Sequence, residues 1–271
     1  YQVKTLANGV RLVVWPRKEC RSAALGLWVG TGSRQESEKE NGAAHFIEHM
    51  VFKGTEQRSA ADLAREMDAL GGQFNAFTTK EDTTIHTTTL RGDFSKAAEL
   101  IADIAFHSTF PDRELEKERE VICDEINTYK DSPADMIFDT FDDMIFSGSE
   151  LGHNILGTKA ALARYTTDHI KRFIERTHTT DQMVFSSIGN FSVATARAVA
   201  ERYLGCVEPT KRGFQRQIPS LYEPFNVHLA RHTHQAHGII GTRGYSIADE
   251  RRLPLALLVN ILGGPSANSL L

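Results

Sequence analysis

The 271-residue chain contains only three cysteines, Cys20, Cys123 and Cys206, with no C-x-x-C pair among them. An odd, scattered set builds neither a disulfide framework nor a cysteine zinc site, so each is expected to be a free thiol. Long apolar runs are also missing. None approaches the roughly 20 residues that cross a bilayer, so no membrane span is expected. Charge of one sign is scarce too: 31 Lys and Arg stand against 35 Asp and Glu, a formal net charge of −4. Without a basic stripe or a nucleic-acid motif, no nucleic-acid partner is expected. No short-period repeat is evident. The opening Tyr1-Gln2-Val3-Lys4 already leads into a strand, so no targeting segment is expected in these residues. The rest is ordinary, 41% hydrophobic and 24% charged, enough for one domain and a piece of another.

Histidine, by contrast, is plentiful, with 11, and two of them stand in the most informative stretch, which runs from Gly42 to Thr55. On a helix, His45 and His49 lie one turn apart and can close on a single ion, while Glu48 falls near the same face. The order H-x-x-E-H inverts the H-E-x-x-H of the commoner zinc proteases. A catalytic zinc takes three protein ligands and keeps one open position, so a third ligand is required. A candidate source lies downstream in Glu118-Arg119-Glu120-Val121-Ile122-Cys123-Asp124-Glu125. That segment belongs to a helical pattern from about Asp112 to Tyr129. Glu118 and Glu125 are two turns apart on one face, which taken alone also reads as a solvated acidic surface. Cys123, two residues before Glu125, points away from that face and reads as packing.

With a glutamate 76 residues after the second histidine, His45, Glu48 and His49 make the chain resemble the pitrilysin and insulinase family of zinc peptidases, closest in type to bacterial relatives of the mitochondrial processing peptidase. Further segments agree: Leu6-Ala7-Asn8-Gly9-Val10-Arg11, Gly30-Thr31-Gly32-Ser33, Gly71 to Thr78, and Ile188-Gly189-Asn190-Phe191. The resemblance implies that His45, His49 and Glu125 bind zinc, that Glu48 is the general base, and that Glu118 supports the metal from behind a ligand. Asn75 and Ala76 match a strand that holds the peptide in that family. The implied activity is that of a zinc-dependent metalloendopeptidase cutting extended peptides or presequence-like segments with metal-activated water. Implied partners are a peptide or unfolded protein substrate and a second family half or subunit, in a homo- or heterodimer. A bacterial cytoplasm is the expected location, with periplasm and mitochondrial matrix left open. Two alternatives are a non-catalytic family subunit, against which the intact ligand set argues, and a peptide-binding scaffold with a structural zinc. The latter needs a fourth protein ligand, and none is evident near the motif.

Periodicity predicts an α+β fold, with an antiparallel or mixed sheet packed against helices. Strands are expected at 10–15, 23–29, 74–79, 83–90 and 183–188. Helices are expected at 43–52, 60–70 with Ser59 as N-cap and Gly71 as terminator, 94–106, 112–129, 134–146, 167–177 and 193–203. Residues 1–205 read as the zinc-binding domain. A proline-bearing linker follows at 206–225. Residues 226–271 read as the beginning of a second domain of similar fold, with strands at 227–231 and 238–244 and a helix at 251–262 that stops at Gly263-Gly264. The turn Leu262-Gly263-Gly264-Pro265-Ser266 lacks the Lys-Ser/Thr of a phosphate-binding loop. His228, His232, His234 and His237 cluster without a carboxylate or cysteine to complete a second metal set. His153 and His86 read as structural residues.

Overall fold

Alternating side-chain burial sets the sheet. The computed structural model describes residues 1–219, 223–231 and 234–264. Among them six strands, β1 (Gln2–Thr5), β2 (Arg11–Pro16), β3 (Ser22–Val29), β4 (Gln73–Thr78), β5 (Thr83–Leu90) and β6 (Met183–Gly189), form one sheet in the order β1-β2-β6-β3-β5-β4. β6 runs parallel to β2, and every other pairing is antiparallel, so the sheet is mixed as predicted. Leu12 and Val14 on β2, Ala23, Leu25, Leu27 and Val29 on β3, and Met183 and Phe185 on β6 are buried on one face. That is the period-2 pattern of a sheet covered on one side. Trp15, Trp28 and Phe77 lie exposed on its other face, where Trp28 Nε1 donates to Ser186 Oγ at 3.1 Å.

The covering layer holds α3 (Phe94–Phe106), which packs on β3 and β5, and α8 (Val193–Tyr203), which packs on β2 and α3. Ala97, Ala98, Leu100, Ile101 and Ile104 make α3 the apolar centre of that layer. Helix α2 (Ala60–Ala69) starts and stops as its sequence predicts: Ser59 Oγ accepts from Asp62 N at 3.2 Å, and Gly71 follows at φ +60°. The helical layer is completed by α1 (Ala43–Met50), α4 (Asp112–Lys130), α5 (Pro133–Ile145), α6 (Lys159–Leu162) and α7 (Thr167–Thr177). Helix α1 packs on β4 and α4, so the histidine helix is held between an edge strand and the acidic helix.

The strands predicted at 227–231 and 238–244 are corrected by the structure, which shows no regular structure in either run. Val227, Leu229 and Ile240 are exposed, and among the described residues no strand lies beside them. Alternating apolar residues gain nothing from an extended conformation without a ladder partner. The helix predicted beyond them does form, as α9 (Arg252–Gly263), with Leu253, Leu257 and Ile261 exposed. His232, Pro265 and Ser266 lie outside the described residues.

Candidate metal centre

The eight residues of α1 divide by face. Phe46, Ile47 and Met50 are buried in the core, which orients the remaining face, with His45 and His49, toward α4. On α4 the buried stripe is Leu115, Glu118, Ile122 and Ile126, a helical repeat that seats Ile122 in the core and leaves Glu118 and Glu125 beside α1. Glu118 is only 8% exposed. At Glu118 this edge of the acidic helix is packed rather than solvated.

Glu125 Oε2 lies 3.7 Å from His45 Nε2 and 3.7 Å from His49 Nε2. The three ligand atoms all fall within 4.8 Å of one another, as donors about 2 Å from a shared ion would. The His49 ring is gripped from behind, since Glu118 Oε2 lies 3.0 Å from Nδ1. A proton on Nδ1, donated to that carboxylate, leaves the Nε2 lone pair facing Glu125, which is the tautomer a metal ligand needs. Lys53 Nζ, 2.7 Å from Glu118 Oε1, balances the buried charge. Burial, helped by the nearby His49, holds the His45 imidazole down at about 4, so His45 is neutral around pH 7 and its lone pair is available. Two neutral nitrogens and one anionic oxygen suit zinc by type and number. The three residues that lie together are those the family resemblance implies as ligands.

Glu48 is half-buried beside this group. Burial raises its carboxyl above the usual range, hydrogen bonding from Thr78 and the nearby His49 ring work against that rise, and Glu125 adds to it. A carboxyl shifted upward is a stronger proton acceptor, which suits a general base. Thr78 lies on β4, the sheet's edge, where Asn75 pairs with His86 and Ala76 with Ile85 on β5. Asn75 is exposed and Ala76 is buried toward the helices.

Sequence reading passed over Lys53 and Thr78. Lys53 stands four residues after His49, a helical offset that could have flagged it, although α1 ends at Met50; Thr78 carries no local signal. Among the described residues no other histidine joins the group. His86 is half-buried on β5, and the His153 carbonyl accepts from Lys80 Nζ at 2.5 Å. Cys20, Cys123 and Cys206 are free thiols. Among the described residues, His45, His49 and Glu125 are the one group of three with metal-ligand spacing, and none of those helices is long and apolar enough to cross a membrane.

Residues 12–159 match the family described as Insulinase (Peptidase family M16), and residues 164–271 match the Peptidase M16 inactive domain. The chain is 37% identical over 266 residues to the uncharacterized zinc protease YmxG of Bacillus subtilis, covering 98% of this chain and 64% of that protein. It is 34% identical over 273 residues to an uncharacterized zinc protease of Streptomyces coelicolor, covering 98% and 60%. It thus spans roughly three fifths of the length of these relatives. In fold it is similar to a protease from Helicobacter pylori, with a TM-score of 0.74 at 22% identity over 82% of this chain and 54% of that one. The Escherichia coli periplasmic protease PqqL is similar at a TM-score of 0.74 and 21% identity, over 81% of this chain and 25% of that one. With more than half its length matched to the first of these families, and with the geometry above, the chain belongs to the insulinase family of peptidases, peptidase family M16.

Proposed function

We propose that the chain is the metal-binding part of a zinc-dependent endopeptidase that hydrolyses extended peptides. The observation that carries this reading is the meeting of the His45, His49 and Glu125 ligand atoms within 4.8 Å, beside a half-buried Glu48 and an edge strand. Zinc at these ligands would supply Lewis-acid polarisation of the scissile carbonyl and acidify the attacking water. Glu48 takes a proton from that water at a carboxylate oxygen and passes it to the leaving nitrogen. Glu118 holds the His49 ring and its tautomer. Among the described residues β4 leaves one side unpaired, so an extended peptide can add to it through main-chain hydrogen bonds. Asn75 and Ala76 lie within that strand.

A division into a peptidase domain at 1–205, a linker at 206–225 and a second domain from 226 is part of the same proposal, as is a further half that completes the enzyme. Relatives longer than this chain, and solved proteases of which it covers 25% to 54%, support that further half. The match described as an inactive domain concerns residues 164–271, whereas the ligands and base all fall between 45 and 125. It therefore does not favour the non-catalytic alternative.

The test is peptide cleavage by the full-length protein: loss with a chelator and return with added zinc are expected. Cleavage indifferent to chelation would sink the reading. Substrate holding is tested separately by Ala76→Pro on a Glu48→Gln background. Proline removes a backbone donor and disturbs the strand, so peptide affinity should fall about tenfold or more while zinc stays bound. A folded, zinc-loaded Ala76→Pro protein that binds peptide like its parent would place the substrate elsewhere.

A further inference from the structure

Helix α1 begins without a cap of its own. Its N-cap is Gly42, at φ +96° and with no side chain to accept from the first turn, and the third helical position, where a capping glutamate would reach back, is occupied by His45. Both missing contacts come from outside the helix. Glu36, 1% exposed, accepts from Ala44 N at 2.8 Å through Oε1 and from Gly42 N at 2.8 Å through Oε2. Asn41 Nδ2 also donates to Oε2, at 3.2 Å. One carboxylate thus accepts from both the N-cap and the second helical position.

The chain entering the helix is locked around it. Asn41 Nδ2 also donates to the Asn154 carbonyl at 2.9 Å, and Tyr165 Oη donates to the Asn41 carbonyl at 3.0 Å. A Cβ on Gly42 would stand 2.8 Å from the Leu156 carbonyl oxygen, and one on Gly157 would stand 2.3 Å from that of Asn41. Neither glycine can take a side chain without moving the loop. Burial pushes the Glu36 carboxyl up to about 8, against the pull of the three donors.

We propose that Glu36 is a positioning residue for the metal centre, fixing the first turn of α1, and with it His45 and His49, in the geometry that meets Glu125. An H-x-x-E-H helix that has to place a ligand at its third position cannot carry its own capping glutamate there, and Glu36 supplies the function from the preceding loop. The inference rests on the proposed metal site.

The test compares zinc affinity, by chelator competition, in the parent, Glu36→Gln, Glu36→Ala and Leu12→Ala. Leu12 lies in the core on β2 and serves as a control for general destabilisation. Gln keeps the volume but only one acceptor oxygen, and its amide group faces a backbone donor. Zinc affinity should fall about tenfold in Glu36→Gln, in the lower range for groups that orient a ligand, and further in Glu36→Ala. Amide exchange at Gly42 and Ala44 should accelerate in the metal-free Glu36→Gln protein, while exchange in the β3–β6 ladder does not. Leu12→Ala should keep parental zinc affinity. A folded Glu36→Gln protein with parental zinc affinity overturns the role of Glu36, as does an equal loss in Leu12→Ala. A parent chain that binds no zinc sinks the metal site itself.

Discussion

Glu48→Gln should load zinc like the parent and bind peptide, yet lose turnover by about a hundredfold or more, the usual contribution of a positioned base. The substitution keeps the side chain's size and its place beside Thr78 but removes the proton acceptor. None of the three ligand atoms is touched, since those belong to His45, His49 and Glu125. Because burial raises the Glu48 carboxyl, the acid limb of the parent's rate profile should lie above the ordinary carboxylate range and vanish in the variant. Turnover within a few fold of the parent would remove Glu48 from the mechanism.

Glu125→Ala should reduce zinc from one equivalent per chain to a small residue, measured by metal analysis after dialysis. The reasoning is in the distances: Glu125 Oε2 lies 3.7 Å from both imidazole nitrogens, so its loss leaves two neutral ligands and no anion. The fall should exceed the roughly 10- to 100-fold typical of a residue that only orients a ligand. Glu118→Gln, which weakens the grip on His49 Nδ1 without removing a ligand, provides that lesser comparison. Equal losses in the two variants would mean that Glu118 and Glu125 have been given the wrong roles.

The centre was legible in the sequence because α1 and α4 are local structures of one period. The offsets of four residues from His45 to His49, and of seven from Glu118 to Glu125, fix which side chains share a face whatever the rest of the fold does. Which glutamate meets which ring nitrogen depends on how two helices pack, and spacing within each helix does not carry that; family resemblance supplied it. The five longer strands were legible from alternation, yet the place of β6 between β2 and β3 was not, because pairing order is a tertiary matter. Residues 227–231 and 238–244 show the converse failure: alternation without a neighbouring strand does not make one. Glu36 escaped notice for a related reason. It caps a helix from six residues before the N-cap, across a loop held by Asn154, Gly157 and Tyr165, and no periodic pattern joins those positions.

The position of the metal is the most direct test of the central claim. Zinc-edge anomalous diffraction from crystals of the zinc-loaded protein should give one strong peak within about 2 Å of His45 Nε2, His49 Nε2 and a Glu125 carboxylate oxygen, with Glu118 behind His49 and outside bonding distance. A peak ligated instead by the histidines at 228–237, or a zinc closed by a fourth protein ligand, would contradict it.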